Sequence, residues 1–201
     1  MSLVSEIEAK PMKITWSHRL ERALRWSATQ HEGQYRKATG VPYIEHPMAV
    51  AMLLDRASFD EDIVIAGLLH DVVEDTSATL ADVAELFGEV VATYVDGCSE
   101  VKSDASGAKR PWADRKRDHL AHVRNSPLGT RAVVLADKLH NLTCIELDLI
   151  DGLPVWSRFN ASRADILAYY KASLESCLGG DDRLSILADP LDALIKKIEA
   201  L

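Results

Sequence analysis

The stretch Asp62-Ile-Val-Ile-Ala-Gly-Leu-Leu-His-Asp-Val-Val-Glu-Asp75 sets the strongest limit on what this chain can fold into. Its first part, Ile63 to Leu69, is wholly apolar, and a helix of that character has to be buried among other elements. It is also far too short to cross a bilayer. The stretch then ends in His70, Asp71, Glu74 and Asp75. At about 100° per residue, placing His70 at 0° puts Glu74 near 40°, Asp71 near 100° and Asp75 near 140°. The polar groups therefore share one side, while Leu68, Leu69, Val72 and Val73 continue the core face. Three acids at a helix C-terminus oppose the macrodipole. Crowded beside an imidazole, they repel one another unless a cation or shared protons compensate. The pattern points to a metal site at the end of a buried helix.

The rest of the chain has to supply helices that cover such a segment, and its apolar residues do recur at three and four positions. Aromatics make up 6% of the 201 residues, and no Asn-Gly or Asp-Gly pair joins two alternating runs, so strand signals are weak. The expected fold is all-α, a single helical bundle of about eight to ten helices spanning residues 1–201 as one domain. Helices are expected over Lys13–His31, with Ile14, Leu20, Ala23, Leu24 and Ser27 as the buried stripe, then from Pro47 through Leu54, and over Glu61–Asp75. Thr79 and Asp82 form a capping-box pattern ahead of a helix Leu80–Phe87 that stops at Gly88, with another helix running through Asp96. Further helices are expected over Asp114–Arg124, Gly129–Ile150, Asn160–Cys177 and Asp181–Ala200. Residues 33–46 and 98–112 read as loops, the second as a mobile functional flap.

Composition narrows the function. With 31 acids against 23 bases the formal net charge is −8, which excludes a broad nucleic-acid face and disfavours an acidic membrane surface. Cys98, Cys144 and Cys177 have no metal-finger or redox spacing and are expected as free thiols in a reducing cytoplasm. No apolar signal segment occupies Met1 to Ile14.

Two further positions can complete a metal site. His46 opens the second helix after a loop rich in Arg36, Lys37, Gly40 and Pro42. Asp137 interrupts the apolar run Ala132-Val-Val-Leu-Ala-Asp-Lys-Leu-His-Asn-Leu142, where a buried acid needs a partner, and Asn141 shares its face. His46, His70-Asp71 and Asp137 form the pattern H…HD…D, which resembles the HD phosphohydrolase superfamily. The longer text, His31-Glu-Gly-Gln-Tyr-Arg-Lys37, Pro42-Tyr-Ile-Glu-His-Pro47, Leu68-Leu-His-Asp-Val-Val-Glu-Asp-Thr76, Phe87-Gly88, Val95-Asp-Gly97 and Ala136-Asp-Lys-Leu-His-Asn141, resembles the hydrolase domain of the RelA/SpoT family. That family removes the 3′-pyrophosphate from ppGpp and pppGpp. The short chain is similar to its small stand-alone members.

The resemblance implies one manganese ion held by His46, His70, Asp71 and Asp137, with Glu74 and Asp75 as the catalytic pair that orients or deprotonates water and protonates the leaving group. It implies substrate contacts by Arg36, Lys37 and Asn141, with Lys116 and Arg163 as further candidates. His31 and His140 are expected as packing or supporting residues. The implied partner is a small nucleotide, with neither nucleic acid nor membrane, and a homo-oligomer is allowed. The long enzymes carry an arginine and a threonine where this chain has Thr143 and Cys144, and a basic residue near Glu100. These departures leave the metal chemistry untouched but bear on guanine preference, so an HD phosphatase acting on ppApp, the 2′-phosphate of NADPH or a nucleoside monophosphate is a second reading; a nucleotide-sensing HD domain without catalysis is the non-enzyme alternative.

Overall fold

A computed structural model describes residues 16–37, 39–104 and 106–201. Among them the chain forms ten α-helical segments, two short 3₁₀ turns and no strands beyond two isolated bridges. The expected all-α bundle is the observed architecture.

Helix α1 (His18–Gln30) starts where Ser17 accepts hydrogen bonds from the Arg19 and Leu20 N–H groups. The proposed start at Lys13, and with it Ile14, lies outside the described residues. Ala23 and Ser27 form its buried face, and the Ser27 hydroxyl donates to the Leu68 carbonyl at 2.7 Å, docking α1 on α3. Helix α2 (Glu45–Arg56) begins one residue before His46, which lies in its first turn as the residue expected to open this helix.

Helix α3 (Glu61–Leu69) is the centre of the bundle: every residue from Ile63 to Leu69 is buried, and α1, α2, α6 (Glu89–Cys98) and α8 (Leu128–Ile150) pack around it. Gly67 allows the close approach of α2, because a Cβ there would lie 2.5 Å from Leu54 Cδ1. The single helix expected over Glu61–Asp75 is in fact two. A turn at His70-Asp71 separates α3 from the four-residue α4 (Val72–Asp75). His70 Nδ1 lies 2.8 Å from the Gly67 carbonyl, the acceptor a continuing helix offers to the Asp71 N–H.

Helix α5 (Leu80–Phe87) carries the expected Thr79–Asp82 capping box. Helices α6 and α8 cross through reciprocal glycines: a Cβ on Gly97 would lie 2.6 Å from Thr130, and one on Gly129 would lie 2.6 Å from the Tyr94 ring. Helix α7 (Trp112–Arg124) starts two residues before the expected Asp114. Helix α9 (Arg163–Cys177) starts later than the expected Asn160, because Ser162 and Asp165 form a second capping box. Helix α10 (Ser185–Glu199) likewise starts after the expected Asp181, following the 3₁₀ turn Asp182–Leu184. Helices α9 and α10 cover α8, and α7 packs on α9. The antiparallel bridge between Ser103 and Lys109 closes the base of a small hairpin, and Asp104 Oδ1 accepts from the Ser106 and Ala108 N–H groups.

Candidate metal centre

The buried face of α8 carries Asp137 to the middle of the molecule, where α2 presents His46 and the α3–α4 turn presents His70 and Asp71. His46 Nε2 lies 3.1 Å from Asp137 Oδ1 and 3.6 Å from Asp71 Oδ2. His70 Nε2 lies 3.1 Å from Asp71 Oδ2 and 3.8 Å from Asp137 Oδ1. One ligand atom each from His46, His70 and Asp137 falls within 4.8 Å of the others, and all three residues are buried. Three of the four positions singled out as metal ligands in the sequence therefore meet at one point, and the fourth, Asp71, lies against both imidazoles, although they come from three separate segments.

The ring nitrogens show how this point is aimed. His70 Nδ1 faces the Gly67 carbonyl, which fixes N–H on that nitrogen and leaves Nε2 pointing into the cluster. Despite its 3.1 Å approach to Asp71, that Nε2 is buried without a well-aligned hydrogen bond. His46 Nδ1 lies 2.8 Å from His140 Nδ1, and His140 Nε2 lies 3.1 Å from Glu45 Oε1. If His46 Nδ1–H donates to His140 and His140 Nε2–H donates to Glu45, every contact is satisfied and His46 Nε2 is free as a ligand. A buried pair of imidazole nitrogens facing two carboxylates, one nitrogen lacking a partner, fits a divalent cation with mixed N/O preference.

Electrostatics agree with this fit. Burial opposes charge on His70, but Asp71 and Asp137 outweigh it and raise the imidazole to about 9. His46 is lowered by burial. Burial likewise opposes ionisation of Asp71 and Asp137, yet the neighbouring His70, and for Asp137 Lys138, hold both below the usual carboxylate range.

Three neighbours of the cluster were not picked out in the sequence. Tyr43 donates to Asp71 Oδ2 at 2.5 Å, and Lys138 Nζ donates to Asp137 Oδ2 at 2.6 Å. Both lie inside quoted motif stretches, and that adjacency was the available signal. The third is Lys102, which lies 3.0 Å from Glu74 Oε1 and 2.8 Å from Asp75 Oδ1. Glu74 is partly buried, which raises its carboxyl, an effect that Lys102 and the Glu100 N–H oppose.

Of the substrate-binding candidates, Arg36 and Asn141 adjoin the centre. Asn141 donates to Asp137 Oδ1 at 2.5 Å and accepts from Arg36 Nη2 at 2.8 Å. Lys37 is exposed on the same loop. Lys116 is instead paired with the buried Glu100 carboxylate and lies 4.5 Å from the Tyr169 ring centroid. Arg163 donates to the Ile198 carbonyl at 2.6 Å and lies against Trp156, at the C-terminal end of α10. The structure thus gives Lys116 and Arg163 partners away from the metal cluster.

Residues 23–166 match the HD domain family. The chain belongs to that family. Its HD domain is 36% identical over 126 residues to the guanosine-3′,5′-bis(diphosphate) 3′-pyrophosphohydrolase of Danio rerio, covering 61% of this chain and 67% of that one. It is 37% identical over 130 residues to the bifunctional (p)ppGpp synthase/hydrolase SpoT of Escherichia coli, covering 62% of this chain but only 18% of that longer protein. Among solved structures it resembles a metazoan ortholog of SpoT described as hydrolysing ppGpp, with a TM-score of 0.75, 27% identity, and coverage of 94% of this chain and 100% of that one. No helix among the described residues is long and apolar enough to cross a membrane.

Proposed function

We infer that this HD domain hydrolyses the 3′-pyrophosphate of ppGpp and pppGpp. Water attacks the phosphorus bonded to ribose O3′, the P–O3′ bond breaks, O3′ takes up a proton, and GDP or GTP leaves with pyrophosphate. The observation that carries this reading is the convergence of His46, His70 and Asp137, with Asp71 Oδ2 3.1 Å from His70 Nε2, in a fold that spans the full length of the metazoan SpoT ortholog.

In this reading His46, His70, Asp71 and Asp137 hold manganese(II). A divalent ion there lowers the pKa of water and offsets phosphate charge. Glu74 and Asp75 are the proton-handling pair. Glu74, with its proton affinity raised by burial, is suited to receive a proton from the attacking water, and Asp75 is exposed beside it. Lys138 and Lys102, paired with Asp137 and with Glu74 and Asp75, together with one divalent cation balance the four carboxylates without exceeding them, so a polyanionic substrate needs further positive charge. Arg36 and Lys37 supply it from the loop before α2, and the planar Arg36 guanidinium, held by Asn141, also offers a face to a purine. The free cysteines Cys98, Cys144 and Cys177 fit a reducing cytoplasm.

A substrate panel tests the reading. Purified protein with manganese is incubated separately with ppGpp, pppGpp, ppApp, NADPH and GMP, and products are separated by ion chromatography. Equimolar GDP and pyrophosphate from ppGpp is the expected result. Intact ppGpp alongside a dephosphorylated member of the panel would overturn it.

A further inference from the structure

The carboxylate pair at the end of α4 is gripped by a segment distant in sequence. Lys102 Nζ lies 2.8 Å from Asp75 Oδ1, 3.0 Å from Glu74 Oε1 and 3.1 Å from the Glu74 carbonyl oxygen. The second carboxylate oxygen of Glu74, Oε2, accepts from the Glu100 N–H at 3.1 Å. Both oxygens of Glu74 are therefore held by residues 100–102. The contacts to Asp75 Oδ1 and to the Glu74 carbonyl are hydrogen bonds donated by the ammonium, and the contact to Glu74 Oε1 is an ion pair.

The gripping segment is itself anchored. The Glu100 side chain is only 8% exposed and is paired with Lys116 and, at 3.4 Å, with Arg115, both on α7. The Arg110 N–H donates to the Lys102 carbonyl at 3.0 Å, closing the base of the hairpin. Helix α7 thus fixes Glu100, and residues 100–102 fix the carboxylates. Lys116 is thereby tied to Glu74 through Glu100.

We propose that Lys102 is a positioning residue for hydrolysis, holding Glu74 and Asp75 together in one geometry through its ammonium while the Glu100 backbone holds the other side of Glu74. The proposal rests on the reading of Glu74 and Asp75 as the proton-handling pair. Without Lys102, two adjacent carboxylates near Asp71 repel one another and Glu74 keeps one of its two restraints. Misplacement of a reacting group by about 1 Å costs up to about a hundredfold in rate. The loss falls on turnover, because the ammonium is turned onto the two carboxylates and the Glu74 carbonyl.

The test compares Lys102→Met, Lys102→Arg and Glu100→Gln with the wild-type manganese enzyme, all checked for unchanged circular dichroism and metal content. Lys102→Met is expected to lower kcat on ppGpp by about tenfold to a hundredfold with KM within about twofold. Lys102→Arg, which keeps the charge, recovers part of that loss, and Glu100→Gln lowers kcat in the same direction by loosening the anchor. Exchange of the Glu100 amide, followed by NMR on protein loaded with diamagnetic magnesium, is expected to speed up in Lys102→Met. A raised KM with unchanged kcat would overturn the proposal and make Lys102 a phosphate ligand. Unchanged kcat with unchanged Glu100 exchange would also overturn it. Absence of ppGpp turnover in the wild type would refute the hydrolase reading instead, while the amide exchange still decides whether Lys102 holds Glu74.

Discussion

Binding of a divalent ion to this centre should release one proton, and that proton should come from His70. In the metal-free protein Asp71 and Asp137 are held below the usual carboxylate range and are already ionised near neutrality. Burial lowers His46, so that imidazole is neutral. His70, raised to about 9, is the one ligand that carries a dissociable proton at pH 7. Because Nδ1 faces the Gly67 carbonyl, the extra proton sits on Nε2, where the ion must bind. About two pH units separate neutrality from that pKa, so removing the proton at pH 7 costs on the order of 3 kcal/mol. The sign follows directly: below about 9 the proton competes with the metal, and affinity should rise about tenfold for each unit from pH 6 to pH 8. Isothermal titration of manganese into chelator-stripped protein, in two buffers of different ionisation enthalpy, counts the protons released. Zero protons at pH 7, or an affinity flat across this range, would refute the assignment of the charge to His70 Nε2.

Other changes probe the site and the scaffold separately. Glu74→Gln should lower ppGpp turnover by about 10²–10⁴-fold while metal content by atomic absorption stays at the wild-type level, since a lost general base leaves the ligands intact. Lys37→Ala should raise KM more than it lowers kcat, with the difference shrinking as salt is added, as expected of an exposed cation acting on phosphate. Gly129→Ala places a Cβ 2.6 Å from the rigid Tyr94 ring. It should destabilise the α6–α8 crossing by about 1–2 kcal/mol, read as a melting temperature lower by roughly 2–8 °C.

Much of the fold was legible because its signals are local. Thr79 and Asp82 announce the start of α5 three residues apart, and the apolar run Ile63–Leu69 announces a buried central helix by itself. The break at His70-Asp71 was not legible, because neither a glycine nor a proline marks it. It arises where the His70 ring engages the Gly67 carbonyl and Tyr43 engages Asp71. The start of α9 was misplaced at Asn160 although Ser162 and Asp165 repeat the capping pattern recognised at α5.

The site divides in the same way. Asp137 stood out because it interrupts an apolar run, which is costly without a partner, His70 and Asp71 because they end one amid further acids, and His46 through its place in the H…HD…D pattern. Lys102 and Glu100 lie in a polar loop where charged residues are ordinary, and only the folded chain shows that they reach Glu74 and Asp75. Lys116 stood out as part of a basic cluster, but its partner Glu100 lies sixteen positions away and could not be anticipated from spacing.

The central claim is that one ion, held by these four side chains, is required for hydrolysis of ppGpp. It is tested most directly by adding manganese back to chelator-stripped protein while measuring bound metal and pyrophosphate release on the same samples, with Asp137→Asn run in parallel. Turnover is expected to rise in proportion to occupancy, saturate at one ion per chain, and be lost together with high-affinity binding in Asp137→Asn. Pyrophosphate release by the stripped protein, or wild-type metal binding and turnover in Asp137→Asn, would contradict it.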